Sequence, residues 1–389
     1  MNVRPLRIAT VITRLEGGAG VLALRGAKAL DPDEFQVTII TGSGSQLLDE
    51  AAAAGLDVII EPALRTRIDP HVDLRALHAL DTVLRRGHFE VVHTHTAKAG
   101  VLGRLAARRA SVPRIIHTYH GFPFHEFQSR VRRGAYVAIE RRLGRMTDIA
   151  LCVGTGVAVE AIRRGLVAPE RVRTIGVAVD RPVGAELPAR APGARARARR
   201  ALGLPADAIV VGAVGRLTYQ KAPEDFLAAI RLLGRPDVVG VWVGGGELAA
   251  RVSRLAGLQP NERVILAGER RDVPEILPAF DVFALPSRYE GLPTAIVEAM
   301  MCGVPVVATA VNAVADVVIP GETGLLVPPQ RPDLMADAVR YLLDRPAVAA
   351  RLATMARTRL GDRFGEQSLR DALAAAYLER RTDRHEVLI

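Results

Sequence analysis

Short runs of β-branched residues alternate with longer stretches of helical period from the start of the chain. The runs Arg7–Thr13, Gln36–Thr41, Asp57–Ile60, Val91–Thr94, Arg114–Thr118 and Asp148–Val153 predict strands. Leu74–Arg86 and Ala99–Arg109 between them predict amphipathic helices. Such alternation argues for βαβ units and a parallel sheet covered by helices on both faces. The rhythm stops over residues 181–208, which are proline-rich and of low complexity from Ala189 to Arg200. That stretch reads as an interdomain connection followed by a basic, exposed helix. The alternation then restarts at Ile209–Val214, Val238–Val243, Arg263–Leu266, Asp281–Leu285, Val304–Ala308 and Leu325–Val327. Two successive α/β domains of similar size are expected, with no sequence repeat between them. Ligands in these folds lie outside the carboxyl ends of strands. Two facing domains would put the site in the cleft between them.

Composition narrows the class. Hydrophobic residues make up 49% and charged residues 24% of 389, which excludes a disordered chain, a collagen-like fibre and a staple-dependent miniprotein. Two cysteines, Cys152 and Cys302, cannot frame a disulfide scaffold or a Cys-rich zinc site, and they point to a reducing compartment. The first apolar run, Ile8–Thr13, is too short for a secretory signal. The longest uncharged run, Ala299–Ala315, holds Gly303, Pro305, Thr309 and Asn312 and reads as helix, turn and strand rather than a membrane span. The expectation is a cytoplasmic protein, or one peripheral on the inner face of the cell membrane. The net charge is +10, and residues 1–180 hold 25 basic against 18 acidic side chains, or +7. Only Lys28, Lys98 and Lys221 among the 52 basic residues are lysines. Abundant Ala and Arg suggest a GC-rich bacterial genome, so part of the arginine excess reflects mutational bias.

The most informative segment runs from Pro286 to Met300. A predicted strand ends at Leu285, and Pro293 suits the first turn of a helix. Apolar residues at 292, 295, 296, 299 and 300 form a helical stripe. Glu298 points about 130° from the centre of that stripe, at about 100° per residue. It reads as a cleft-facing carboxylate or as an ordinary exposed glutamate. The backbone N–H groups of the Gly291, Leu292, Pro293, Thr294 stretch predict a helix N-terminus suited to phosphate oxygens. In the second segment, Val214–Pro223, Arg216 and Lys221 follow a strand in a strand-to-helix loop. They read as a diphosphate clamp or as a solvated pair of charges.

The first half offers weaker signals. Leu15–Gly20, with Gly17 and Gly18, follows the first strand and opens a helix, without the spacing of a dinucleotide fingerprint. His93 and His95 end one predicted strand, and His117 and His120 end the next. A zinc site from these four is disfavoured because no carboxylates are suitably spaced. His93 and His95 read as hydrogen-bonded sheet-edge residues or as acceptor contacts. Ser129–Met146 carries six arginines against one glutamate, with Val131, Tyr136, Val137, Ile139 and Leu143 interleaved. It reads as a solvated helix or as a segment lying on anionic lipid. Nucleic acid is disfavoured as a partner, since no binding module or aromatic interleaving accompanies the charge.

Taken together, these motifs resemble the retaining GT-B glycosyltransferases of the family related to sucrose and polysaccharide synthases, glycosyltransferase family 4, group 1. The resemblance rests on Glu290 and Glu298 with seven residues between them, on the Gly215-Arg216-Leu217 loop with Lys221, and on the turn and strand Cys302–Ala308. It implies an α/β fold of two Rossmann-like doubly wound domains facing across a cleft. Residues 1–178 would form the acceptor side, with the C-terminal helix 366–389 packing back on it. Residues 179–365 would bind the nucleotide sugar. The implied activity is transfer of a hexosyl or N-acetylhexosaminyl group from a nucleotide-diphosphate sugar, UDP-linked, to a hydroxyl acceptor. That acceptor would be a lipid-linked precursor of a cell-surface polysaccharide or glycolipid. No cofactor and no metal are implied. Arg216 and Lys221 would grip the diphosphate, Glu298 the ribose, and Glu290 and His120 the donor sugar. Gly291, Leu292, Pro293 and Thr294 would meet the sugar and distal phosphate, Gly268 the base, and Gly17 and Gly18 the phosphates and acceptor. Val311–Asp316 departs from the family pattern of a glycine pair followed by a glutamate, and Asp316 would stand for that glutamate at shorter reach. A nucleotide-sugar epimerase of the same architecture and a non-catalytic nucleotide-sugar binder are the rival readings.

Overall fold

The computed structural model of the protein describes residues 4–179, 192–257 and 264–379. The chain divides into two compact units. One runs to Ala178 and takes back the chain from Glu366; the other is Val179–Gly365.

The first unit holds strands β1 (Leu6–Ile12), β2 (Phe35–Thr41), β3 (Asp57–Ile60), β4 (Val91–His95), β5 (Arg114–Tyr119), β6 (Ile149–Cys152) and β7 (Val172–Thr174). They form one parallel sheet in the order β3-β2-β1-β4-β5-β6-β7. Helices α1 (Gly17–Ala29), α2 (Gln46–Ala53), α3 (Pro70–Gly87), α4 (Ala97–Arg109), α5 (Arg130–Gly144) and α6 (Thr155–Arg163) connect them. Every residue of β4 is buried, as expected of a parallel strand covered on both faces. Helix α3 starts where Asp69 accepts hydrogen bonds from the amides of His71 and Val72 with Pro70 in the first turn.

The second unit holds α7 (Pro192–Ala201), β8 (Ile209–Val214), α8 (Pro223–Leu233), β9 (Val238–Val243), α9 (Ala249–Ala256), β10 (Val264–Leu266), α10 (Val273–Ile276), β11 (Val282–Leu285), α11 (Thr294–Met301), β12 (Val306–Thr309), β13 (Leu325–Val327), α12 (Pro332–Leu343) and α13 (Pro346–Leu360). Its parallel sheet has the order β10-β9-β8-β11-β12-β13. Trp242 of β9 is fully buried and meets Phe226 of α8 edge-on, ring centroids 5.4 Å apart.

Helix α14 (Glu366–Leu378) belongs to the first unit. It packs on α1 at Gly26, where a Cβ would stand 2.7 Å from Leu373 Cδ1 and would push that side chain aside. Leu369 and Leu373 are buried, each contributing roughly 1.5–3 kcal/mol. Arg114 donates to the carbonyls of Ala376 and Tyr377 at 3.0 and 2.7 Å, satisfying acceptors of the last turn.

Three expectations change. Strand β7 was not foreseen, because three residues including an exposed Arg173 carry no periodic signal. Helix α7 is not an exposed basic helix: Ala198 and Arg199 are buried, and Arg195 and Arg199 both pair with Asp281. Asp281 also accepts from the amide of Val210 at 2.8 Å, so it anchors α7 rather than beginning β11. The connection over residues 180–191, Arg263 of the predicted strand, and residues 380–389 of the predicted C-terminal helix lie outside the described residues.

Candidate active site

In the second sheet the strand order reverses between β8 and β11. Chain leaving β8 leads to β9 and β10 on one side, while β11 leads to β12 and β13 on the other. Such a switch point opens a crevice at the carboxyl ends of the strands. Arg216 and Lys221 lie in the loop after β8, and Ser287 and Glu290 in the loop after β11. Lys221 Nζ lies 2.5 Å from Glu290 Oε1. Ser287 Oγ donates to that same oxygen at 2.6 Å, and Gln220 Nε2 donates to Oε2 at 3.1 Å. Glu290 is only 6% exposed, so three donors hold a carboxylate that burial would otherwise disfavour. The amide of Glu290 donates to Asn312 Oδ1 at 3.2 Å. Arg216, in contrast, is exposed at the mouth of the same loop.

Neighbouring loops brace this pair. Trp242 Nε1 donates to the Gly215 carbonyl at 2.8 Å, joining the core to the Arg216 loop. Gly244, Gly245 and Gly246 follow β9 and lie directly against that loop: Leu217 N donates to Gly245 O at 2.7 Å. A Cβ on Gly244 would stand 2.2 Å from the Gly215 carbonyl oxygen, and its φ of 132° favours glycine. Gly244 N in turn donates to Gly268 O at 2.7 Å, which brings Gly268 to the same edge. Arg288 lies over the Tyr219 ring at 4.3 Å and donates to the Tyr219 carbonyl at 2.8 Å, tying the two loops together. Helix α11 opens at Thr294 with Pro293 as its cap. Pro293 has no N–H, so the amide donors of this turn come from Gly291, Leu292 and Thr294. Glu298 is half-buried on α11, one residue from the fully buried Val297 and Ala299.

Of the residues singled out in the sequence, Arg216, Lys221, Glu290 and the start of α11 fall in the loops at this edge. Sequence reasoning missed Gln220, Ser287 and Asn312, and the three consecutive glycines after β9. The glycine run was a visible signal. Asn312 was not, since it meets Glu290 through a fold-level approach of two loops. The segment that holds Asp316 brings Asn312 to this edge, from a left-handed residue with φ of 43°.

The first sheet reverses between β1 and β4. Thr13, just beyond β1, has its Oγ1 3.0 Å from that of Thr96, just beyond β4, and accepts from the amide of Ala99 at 3.1 Å. Thr96 has φ of 65°, a strained conformation for a β-branched residue. Gly17, with φ of 61°, and Gly18 open α1 nearby in the sequence and are exposed. The histidines form a chain. His95 Nδ1 is 2.9 Å from His120 Nε2. The ring of His95 lies against that of His93, centroids 4.1 Å apart. His93 meets Thr118 Oγ1 at 2.6 Å and the Tyr377 hydroxyl at 2.7 Å. His117 Nδ1 meets Thr94 Oγ1 at 2.8 Å. Burial pushes His93 down to about 3 and His120 down to about 4, and it holds His95 and His117 well below their ordinary value. His120 adds to the depression of His93, and Arg104 adds to that of His117. All four rings are therefore neutral at pH 7. Among the described residues no group of three or more His, Cys, Asp or Glu side chains is placed to hold a metal ion.

Helix α5 presents Arg130, Arg132, Arg141 and Arg142 to solvent, as does Arg145 at its C-terminal cap, with Val131 85% and Ile139 46% exposed. Glu140 turns inward: its Oε2 accepts from buried Arg104 at 2.8 Å and from the Tyr119 hydroxyl at 3.0 Å.

Comparison with known proteins places the chain in a family. Residues 194–359 match the family described as glycosyl transferases group 1, and residues 16–181 match Glycosyltransferase Family 4. The chain is 32% identical to the Escherichia coli UDP-Gal:alpha-D-GlcNAc-diphosphoundecaprenol alpha-1,3-galactosyltransferase, over 77% of each chain. The chain belongs to the group 1 glycosyltransferases. This glycosyltransferase is also 31% identical to a D-inositol 3-phosphate glycosyltransferase of Xylanimonas cellulosilytica, over 93% of this chain and 91% of that one. Its fold matches crystal structures of Anabaena Alr3699/HepE in complex with UDP and glucose (TM-score 0.81, 21% identity, 96% and 100% of the two chains). It matches sucrose-phosphate synthase from Thermosynechococcus elongatus as well (TM-score 0.78, 23% identity, 96% and 98%). The two units are thus the Rossmann-like domains of a GT-B glycosyltransferase, an enzyme of the EC 2.4 class. Nothing supports the epimerase alternative.

Proposed function

We propose that the enzyme transfers a sugar, with retention of anomeric configuration, from a UDP-linked donor to a hydroxyl of a lipid-linked acceptor at the inner face of the cell membrane. The carrying observation is the Lys221–Glu290 pair at the switch point of the second sheet, with Arg216 exposed beside it. The departing diphosphate gains negative charge in the transition state. Preorganised donors aimed at that charge supply the largest part of the rate in such a site. Arg216, Lys221 and the first amides of α11 are those donors. Glu290, fixed by Lys221, Ser287 and Gln220, orients the donor sugar by accepting from its hydroxyls. Glu298 accepts from the ribose hydroxyls, the Gly268 edge receives the base, and His120 contacts the donor sugar from the first unit. Gly17 and Gly18 serve the phosphates and the acceptor. The phosphate of the departing nucleotide takes the acceptor proton on the same face, so no protein nucleophile is required.

A lipid-linked acceptor is favoured over a soluble one by α5. With Glu140 turned inward, its outer face is arginine and apolar side chains, the composition that seats a helix on anionic headgroups. No helix among the described residues is long and apolar enough to cross a membrane. The E. coli relative names a diphosphoundecaprenol-linked GlcNAc acceptor and the X. cellulosilytica relative a soluble inositol phosphate. Both belong in the test. The purified chain is incubated with UDP-galactose, UDP-glucose or UDP-GlcNAc, alone, with polyprenyl-diphosphate-linked GlcNAc, or with D-inositol 3-phosphate. UDP release that requires the lipid-linked acceptor, with an α-linked product by NMR, is the expected result. Release with inositol phosphate alone overturns the acceptor assignment, and consumption of donor without any acceptor overturns transfer.

A further inference from the structure

His95 has no role in the reading above, yet it is built into the site. It is the last residue of β4, and His120 is the first residue after β5, the neighbouring strand. Its Nδ1 faces His120 Nε2 at 2.9 Å. A hydrogen bond between two neutral imidazoles has one proton between the facing nitrogens. The tautomer of one ring therefore sets the tautomer of the other. If His95 Nδ1 carries the proton, His120 accepts at Nε2 and presents an Nδ1–H donor. In the reverse case His120 presents an Nδ1 acceptor. His95 is itself held. Its ring rests against His93, and His93 is fastened at both nitrogens, by Thr118 Oγ1 and by the Tyr377 hydroxyl of α14. The ties run unbroken from the C-terminal helix to the loop that carries His120.

We infer that His95 is a positioning residue: it fixes the orientation of the His120 ring and determines which of its nitrogens carries the proton presented to the donor sugar. The inference rests on the assignment of His120 as a donor-sugar contact. Tyr377, Thr118 and His93 form the rigid backing that keeps His95 in place. The loss of this one hydrogen bond should show in turnover rather than in nucleotide affinity, because the diphosphate and ribose contacts lie in the other unit.

The test uses the full chain with its donor and acceptor and four single variants. His95→Phe keeps the ring contact with His93 but offers nothing to His120. His95→Asn places an amide where Nδ1 stood, and His95→Gln places it where Nε2 stood. His120→Ala removes the dependent residue. The expected result is a kcat about three- to tenfold lower for His95→Phe, the range one neutral hydrogen bond supplies, with UDP affinity and donor KM unchanged. His95→Asn should recover most of that loss and His95→Gln should not. Adding His95→Phe to His120→Ala should cost nothing further. Ring ¹⁵N shifts of His120 should report one tautomer in the wild type and a mixture in His95→Phe. If His120→Ala is impaired but His95→Phe or His95→Gln turns over at the wild-type rate, the inference falls while the His120 assignment stands. If His120→Ala is fully active, the His120 assignment itself falls. A further loss in the double variant would make His95 merely structural. If His95→Phe does not fold, the contrast between the two amide variants decides alone.

Discussion

Lys221 is an unusual residue in this chain, one of three lysines, and its structural surroundings sharpen what its removal should do. It is 15% exposed and sits on a carboxylate that is itself almost fully buried. Lys221→Ala should therefore do two things. It should lower turnover at saturating donor about 10²–10³-fold by removing a cation from the departing diphosphate. It should also leave Glu290 buried without its counter-charge, at a stability cost on the order of 3 kcal/mol. Pairing Lys221→Met with Glu290→Gln should restore the melting temperature but not the turnover. A single variant with wild-type melting and wild-type rate refutes the placement of this pair at the reaction. The histidine chain makes a second prediction at this scale. Burial holds His93 down to about 3 and His120 down to about 4 in the folded chain, against about 6.5 when unfolded. Below about pH 6.5 the unfolded chain binds protons that the folded chain does not, so stability falls as the pH falls from about 6.5 toward about 4. Above that range both states are neutral and the contribution is flat. His93→Gln should flatten the decline of melting temperature between about pH 6.5 and about pH 5, and an unchanged slope would refute it. Neither the ion pair nor the histidine chain was legible beforehand as a contact. Lys221 and Glu290 were legible as residue types in the right loops, but their pairing spans 69 positions and is made only by adjacency of β8 and β11.

Elements were more legible than contacts, for a physical reason. Buried parallel strands impose runs of β-branched residues, so β8 and β9 fall where those runs lie. β7, an edge strand paired with β6, escapes because the exposed Arg173 interrupts its short run. α7 was misjudged because four basic residues over ten positions look solvated, whereas Asp281, far along the chain, draws two of them down. Asp281→Asn should accordingly loosen α7, seen as faster amide exchange over residues 193–201, and an unchanged exchange pattern would count against the anchor. The arginine face of α5 was legible as composition. That Glu140 does not dilute it was not, because its partner Arg104 comes from α4. The prediction for this element follows from that correction. Replacing Arg130, Arg142 and Arg145 with glutamine should release the protein from anionic vesicles at moderate salt, since each contributes about 1 kcal/mol near such a surface. Activity on a short water-soluble acceptor analogue should persist. A wild type that fails to sediment with anionic vesicles even at low salt makes these arginines a solvated face.

At the scale of the whole molecule, the order of events along the chain was readable: one α/β unit, a break, and a second α/β unit. What the rhythm of the sequence does not show is that both sheets reverse direction at the same point of their build, between β1 and β4 and between β8 and β11. Each reversal gathers the residues that the proposed reading uses in its own unit, because strands adjacent in a sheet deliver their loops to one edge whatever their separation in sequence. In the proposed reading the two units divide the work, with the nucleotide held by the second and the membrane met by the first. This division is separable by experiment. Glu298→Ala should reduce calorimetric affinity for UDP about ten- to a hundredfold, as expected when a carboxylate worth about 1.5–3 kcal/mol is removed from the ribose hydroxyls. The same variant should sediment with anionic vesicles as the wild type does. The triple arginine variant should behave in the opposite way, binding UDP normally and losing the vesicles. Saturating UDP should also raise the melting temperature of the arginine variant as much as that of the wild type, because a ligand stabilises by RT ln(1 + [L]/Kd) wherever its site is intact. Undiminished UDP affinity in Glu298→Ala would remove the ribose from α11, and a loss of UDP binding in the arginine variant would show that the two units do not divide the work in this way.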